Sequence, residues 1–206
     1  MKILDISTYK GDTLCVEFFD CTEKLYINRS IAERYNLARD MDIPESAVEE
    51  IKHANTLRRA RERALHLIDR SEYSYTGLYH KLEENYDEDI CFEVCDMLAE
   101  KGIINDRRYA KMLAEHFCER KRFGTFRARQ ELIRKGITSD IADEALEIYE
   151  ESSYERLCAL IEDKYAHLLT SRKAAAKVKN ALARLGYSYS EINDAIGEYD
   201  IGDDED

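Results

Sequence analysis

Tryptophan is absent from this sequence, proline occurs once, and glycine occurs eight times in 206 residues. So few chain breakers exclude a turn-rich β architecture and favour long helices. No run of 18 or more apolar residues exists, so no transmembrane helix and no membrane partner is predicted. The start, MKILDISTYKGD, lacks an apolar core and a small-residue cleavage site. A secretory signal is not expected there, and the chain reads as cytoplasmic. P-loop, GxSxG and HExxH patterns are missing, and the many carboxylates fall on regular polar helix faces. An enzyme is therefore not expected, and no cofactor is implied. Metal-ligand spacing is missing as well. The six cysteines are Cys15, Cys21, Cys91, Cys95, Cys118 and Cys158, expected as free thiols in a cytoplasmic chain. Cys91 and Cys95 share a helix face, but no second pair accompanies them, and His80 and His116 stand alone. The pair reads as small apolar core residues, not as half a metal site.

What is present divides by pattern. KILDIST and TLCVEFF are β-branched, apolar-rich runs joined by YKGD, where Gly11 tolerates a positive φ. EKLYIN is a third strand, and the three predict a small antiparallel meander leaning on a helix at RSIAERYNL, residues 29–37. Pro44 fits the first turn of the next helix, with Glu45, Glu49 and Glu50 near its positive end. A long helical stretch then runs toward Asp69, and its second half, RRARERALHLIDR, is basic and amphipathic.

A repeat follows. The apolar i, i+4 pairs Leu78/Leu82, Ala128/Leu132 and Val178/Leu182 are offset by 50 residues each time. An acid–Ile step follows each pair: Asp89-Ile90, Asp140-Ile141 and Glu191-Ile192. An apolar helix precedes each: Ala64-Leu67-Ile68, Ala110-Leu113-Phe117 and Leu157-Leu160-Ile161. Gly136 and Gly186 are placed to end the middle helices, Tyr86 beside Asn85 holds the comparable place earlier, and Gly102 closes the last helix of the first repeat. The fold class is mainly α: three tandem three-helix repeats behind a small N-terminal antiparallel β meander. The expected divisions are a β-rich extension with one helix (1–43), repeats at 44–102, 103–151 and 152–200, and an acidic tail at 201–206.

Charge is segregated along this array. The formal net charge is −12, yet residues 105–136 hold ten Lys/Arg against four Asp/Glu. Residues 171–184 hold five bases and no acid, while residues 83–100 hold eight acids and no base. First and second helices are cationic and third helices anionic. Bulk acidity opposes tight, sequence-independent binding of bare duplex and suits a patchy partner or a nucleoprotein. A helix starting near Gly124 turns Ala128 and Leu132 inward and Arg127, Gln130, Glu131 and Arg134 outward. Arg120, Lys121 and Arg122 end the preceding helix, with Phe123 and Phe126 as apolar anchors of the turn. The candidate partner-binding residues are Arg107, Arg108, Arg120, Lys121, Arg122, Arg127, Arg134 and Lys135. A secondary basic face carries Arg58, Arg59, Arg172, Lys173 and Lys177. Guanidinium forks suit phosphate or carboxylate.

The stretches GIINDRRYA (102–110) and RFGTFRARQELIRKGI (122–137) resemble the signature of the RecX family of recombinase regulators, at Asp106, Arg108, Tyr109, Ala110, Gly124, Arg127, Glu131, Leu132, Lys135 and Gly136. SYTGLYHKL is similar to the family's first-repeat pattern at Ser74, Leu78, Lys81 and Leu82; Gly77 departs from its usual Glu, and Thr125 from a frequent Pro. The resemblance implies three tandem three-helix repeats. It also implies a protein that binds the RecA recombinase filament on single-stranded DNA, limits its ATPase and strand exchange, and favours filament shortening; a monomer with a weak direct DNA contact is the accompanying expectation. Two other readings stand beside it: a nucleic-acid-binding helical module acting without RecA, and a scaffold for another protein.

Overall fold

Alternation in TLCVEF places Leu14, Val16 and Phe18 on one face of a strand and buries them. In the computed structural model, which describes residues 1–202, that strand is the centre of a three-stranded antiparallel sheet. Its order is β1 (Ile3–Lys10), β2 (Thr13–Phe18), β3 (Leu25–Asn28). Gly11, at φ +55°, makes the first turn. The last four residues of the predicted acidic tail, 203–206, lie outside the described residues.

The described chain forms two compact units, one of residues 1–71 and 79–100, the other of residues 72–78 and 101 onward. In the first, Leu14 pairs with Ile27 and Val16 with Leu25. This face packs on Ile31 and Ala32 of α1 (Arg29–Arg34) and on Val48 and Ile51 of α2 (Glu45–Arg70). Helix α1 is shorter than predicted because the chain bends at Asn36, whose φ is +49°. Pro44 caps α2 from just outside its first turn. The open edge of β3 is covered by Asn55 of α2, which is buried. Its amide nitrogen donates to the Tyr26 carbonyl at 3.1 Å, and its oxygen accepts from the Asn28 N–H at 3.0 Å.

Helix α4 (Glu88–Glu100) lies against α2 and buries Ile90, Cys91, Val94, Cys95 and Leu98. Cys91 and Cys95 are thus core residues, and burial pushes the Cys95 thiol up to about 12. All six cysteines are free thiols; Cys21 and Cys158 are only half-buried. The left-handed turn expected near Asn85 and Tyr86 does not form. Helix α3 (Tyr75–Leu82) closes instead with the N–H groups of both residues on the Leu82 carbonyl.

The second unit contains α5 (Asp106–Glu115), a π-helical turn (His116–Arg120), α6 (Thr125–Arg134) and α7 (Ser139–Glu151). After these come α8 (Ser153–Lys164), α9 (Arg172–Arg184) and α10 (Tyr189–Gly197). The helices fall into three successive sets of three: α2–α4, α5–α7 and α8–α10. All three predicted i, i+4 pairs are buried. Gly102, Gly136 and Gly186 take φ of +65°, +83° and +92° where the sequence places helix ends. One apolar core joins α5, α6 and α7 through Ala110, Leu113, Ala128, Leu132, Ala142 and Leu146. Another joins α8, α9 and α10 through Leu157, Ile161, Val178, Leu182, Ile192 and Ile196. No described helix is long and apolar enough to cross a membrane.

Candidate functional site

The basic stretch is built on a wide turn. The Lys121 N–H reaches back to the His116 carbonyl at 3.0 Å, closing the π turn, and Arg122 then takes φ +54°. The reversal is therefore made by Arg122, while Gly124, just before α6, has an ordinary φ of −66°. Its role is close approach. The Gly124 N–H donates to the Leu185 carbonyl at 2.8 Å, and a Cβ on Gly124 would overlap the Gly186 carbonyl. A Cβ on Gly186 would lie 2.7 Å from the Arg127 nitrogen. The start of α6 thus packs backbone to backbone on the end of α9.

Fifty residues earlier the same relation recurs. The Ser74 hydroxyl donates to the Lys135 carbonyl at 2.6 Å and accepts from the Gly77 N–H at 3.0 Å. The next residue, Tyr75, donates its N–H to the carboxylate of half-buried Asp106 at 2.8 Å. Burial raises the Asp106 carboxyl, opposed by that hydrogen bond. Lys135 and Asp106 therefore meet consecutive residues, which brings the end of α6 beside the start of α5.

This geometry resolves the predicted cluster into two groups. Arg107, Arg108, Arg134 and Lys135 lie at one end of the α5–α6 pair; Arg120, Lys121, Arg122 and Arg127 lie at the other. Helix α6, ten residues and about 15 Å long, runs from one group to the other. Arg127 is not on the outer face expected of it. It is half-buried, its guanidinium 4.0 Å from the Phe123 ring, and it donates to the Arg184 carbonyl at 2.7 Å. Arg108 donates to the Ile103 carbonyl at 3.1 Å and lies 3.6 Å from Glu72. The others are outward. Arg107 pairs with Glu144, Arg134 with Glu131, Arg120 with Glu115 at 3.8 Å and Arg122 with Asp163 at 3.0 Å. Exposed pairs of this kind contribute about 0–1 kcal/mol, so a partner's anion can displace them. Lys121 and Lys135 are exposed and make no ion pair among the described residues. Phe123 stacks on Phe117 as the expected anchor, but Phe126 is 67% exposed beside exposed Ile133.

On the secondary face Arg58 is tied to Glu62, whereas Arg59 is exposed along α2. Arg172, Lys173 and Lys177 are exposed on α9. Among the described residues no group of three His, Cys, Asp or Glu side chains is placed to hold a metal.

Two residues escaped the sequence reading. Arg156 donates to the carbonyls of Tyr149 at 2.9 Å and Phe123 at 2.5 Å, joining α8 to the basic turn. Its one signal is being the lone base among nine acids in residues 138–163. Arg129 grips Asp143 with two hydrogen bonds, at 2.5 and 3.1 Å, and this holds the Asp143 carboxyl below its usual range.

Fold and surface define a tandem array of three-helix modules with its cations at the module ends. Known proteins narrow this further. Residues 105–146 match the family model for the second three-helix domain of RecX, and residues 150–196 match that for the third. The chain is 27% identical over 207 residues to "Regulatory protein RecX" of Streptococcus sanguinis, covering 100% of this chain and 80% of that one. It is 24% identical to that of Clostridioides difficile, covering 85% and 87%. A crystal structure of regulatory protein RecX superposes with a TM-score of 0.72 at 20% identity, over 96% of this chain and 99% of that one. RecX from Lactobacillus salivarius superposes at 0.61 with 25% identity, over 70% and 97%. Two of the three helix sets thus match models of RecX domains, and the chain as a whole is similar to proteins named regulatory protein RecX.

Proposed function

We propose that this chain regulates the RecA recombinase, binding as a monomer to the RecA filament on single-stranded DNA and limiting its ATPase and strand exchange. The observation that carries the reading is the α5–α6 module. It matches the model of the second RecX three-helix domain and presents exposed cations, Lys121 and Lys135 foremost, at both of its ends. Spacing cations over about 15 Å suits contacts with repeated anionic groups on a filament better than capture of one small ligand. The fixed residues Arg127, Arg108 and Arg156 hold that surface in shape. No enzymatic chemistry is required of it.

The test is RecA's single-stranded-DNA-dependent ATP hydrolysis with this chain titrated in below the RecA concentration. Suppression at a small fraction of RecA is expected. The variant Lys121→Glu/Lys135→Glu should lose most of that suppression while its unfolding midpoint stays within about 0.5 kcal/mol of the parent. Unchanged hydrolysis with the parent chain would overturn the RecA reading. Full inhibition by the double variant would remove these lysines from the interface.

A further inference from the structure

We propose that the first compact unit carries a single-stranded nucleic-acid site of its own, a cleft along α2 where arginines take phosphates and tyrosines take a base. The inference does not rest on the RecA reading; a chain that ignored RecA would still carry the cleft.

Two adjoining cavities, about 460 and 330 Å³, run along one side of α2, and Arg59 and Tyr86 line both. Arg58 and Tyr26 line the larger, Arg63 the smaller. Arg59 and Arg63 stand one helical turn apart, about 6 Å along the axis. Both are exposed, and neither makes a hydrogen bond or ion pair among the described residues. Like charges at that spacing weaken a helix unless an anion compensates them. Arg58 adds a third guanidinium. One of its terminal nitrogens pairs with Glu62, but its Nε–H is buried and is the one such side-chain polar atom without a partner among the described residues. A buried, charged donor in that state favours an acceptor ligand.

The carboxylates nearby do not cancel this charge. Glu62 is committed to Arg58, and Glu84 is held by Lys81 at 2.8 Å, its carboxyl lowered first by that hydrogen bond and only lastly by Arg63. Two guanidiniums on successive turns suit two phosphates of one strand.

The aromatic half of the site is on the sheet. Tyr26 is on the face opposite the core, 45% exposed, and meets Tyr9 edge to face at 4.8 Å. Tyr9 is 66% exposed. Such rings are platforms for an unstacked base, which a duplex does not offer. The chain's net charge of −12 also disfavours a long duplex, with its denser phosphates.

The experiment is fluorescence anisotropy of a labelled 15-residue oligodeoxythymidine with the full chain, at several salt concentrations. Arg59→Ala/Arg63→Ala should weaken binding at least tenfold and make the log–log salt slope shallower by about 1.4, about 0.7 per lost phosphate contact. Tyr26→Ala should weaken binding about tenfold and leave the slope unchanged. Circular dichroism of both variants, whose changed residues are exposed, should match the parent. No binding by the parent, or equal affinity and slope for the arginine variant, overturns the site. Equal affinity for a duplex of the same length overturns its single-strand character. Displacement by inorganic phosphate at equal phosphate concentration reduces it to a simple anion site and overturns the strand assignment. RecA hydrolysis is a separate readout, so failure here and failure of the RecA reading are told apart.

Discussion

Two junctions in the second compact unit are related by a shift of 50 residues and solved by different chemistry. At one, Ser74 reaches the Lys135 carbonyl through its hydroxyl. At the other, Gly124 reaches the Leu185 carbonyl through its backbone N–H, and the two chains close onto each other through Gly124 and Gly186. The acceptor is the same in both, the carbonyl just before a left-handed glycine that ends a middle helix. What repeats is therefore an acceptor and a distance, and the donor is free to change. This explains how such modules keep one geometry while their sequences drift apart.

The comparison can be broken most severely at the glycine pair. Gly186→Ala must hold a φ of +92° and fit a Cβ against the Arg127 backbone. It should cost about 3 kcal/mol, lowering the calorimetric midpoint by roughly 6–12 °C. Arg156→Met comes next. It leaves the Tyr149 and Phe123 carbonyls without their charged donor, and should cost about 2 kcal/mol in urea unfolding. Ser74→Ala removes one hydroxyl that serves both Lys135 and Gly77. About 1–2 kcal/mol is expected from the same measurement. A Ser74 loss as large as that at Gly186 would mean the two junctions are not equivalent in stiffness.

The smallest effect sharpens the picture at the start of α10, where Ser188 and Glu191 form a capping box. Burial would raise the Glu191 carboxyl, but hydrogen bonds from Ser188 and Ser153 outweigh it and lower the net value. A carboxyl lowered on folding stabilises the protein above its unfolded value of 4.5 and loses that contribution as pH falls through the folded one. Glu191→Gln should therefore cost about 0.5–1 kcal/mol at pH 7, and the gap to the parent should close as pH drops below about 4. A gap independent of pH would assign the effect to shape and not to charge.

The array was legible because its signals are local. Leu78/Leu82 and its two successors lie one turn apart, and Gly136 and Gly186 punctuate helices they adjoin. The junctions were not legible, since Ser74 and Lys135 are 61 residues apart, and a hydroxyl on a carbonyl has no composition. For the same reason Arg127 read as a free cation, although a ring and a carbonyl 57 residues away claim it. The left-handed backbone of Arg122 has no signal in the sequence, because that conformation is expected of glycine and here follows a π turn. The one basic stretch became two groups because a helix keeps residues adjacent in sequence apart in space.

Asn55, the residue that closes the edge of β3, sets an order of events during synthesis. The strand is complete at Asn28, but its Asn28 N–H and Tyr26 carbonyl wait for a residue made 27 positions later. At ribosomal speeds of about 5–20 residues per second, that leaves the edge open for on the order of 1–5 s. During that interval the β3 edge of the nascent sheet is a template for any passing strand.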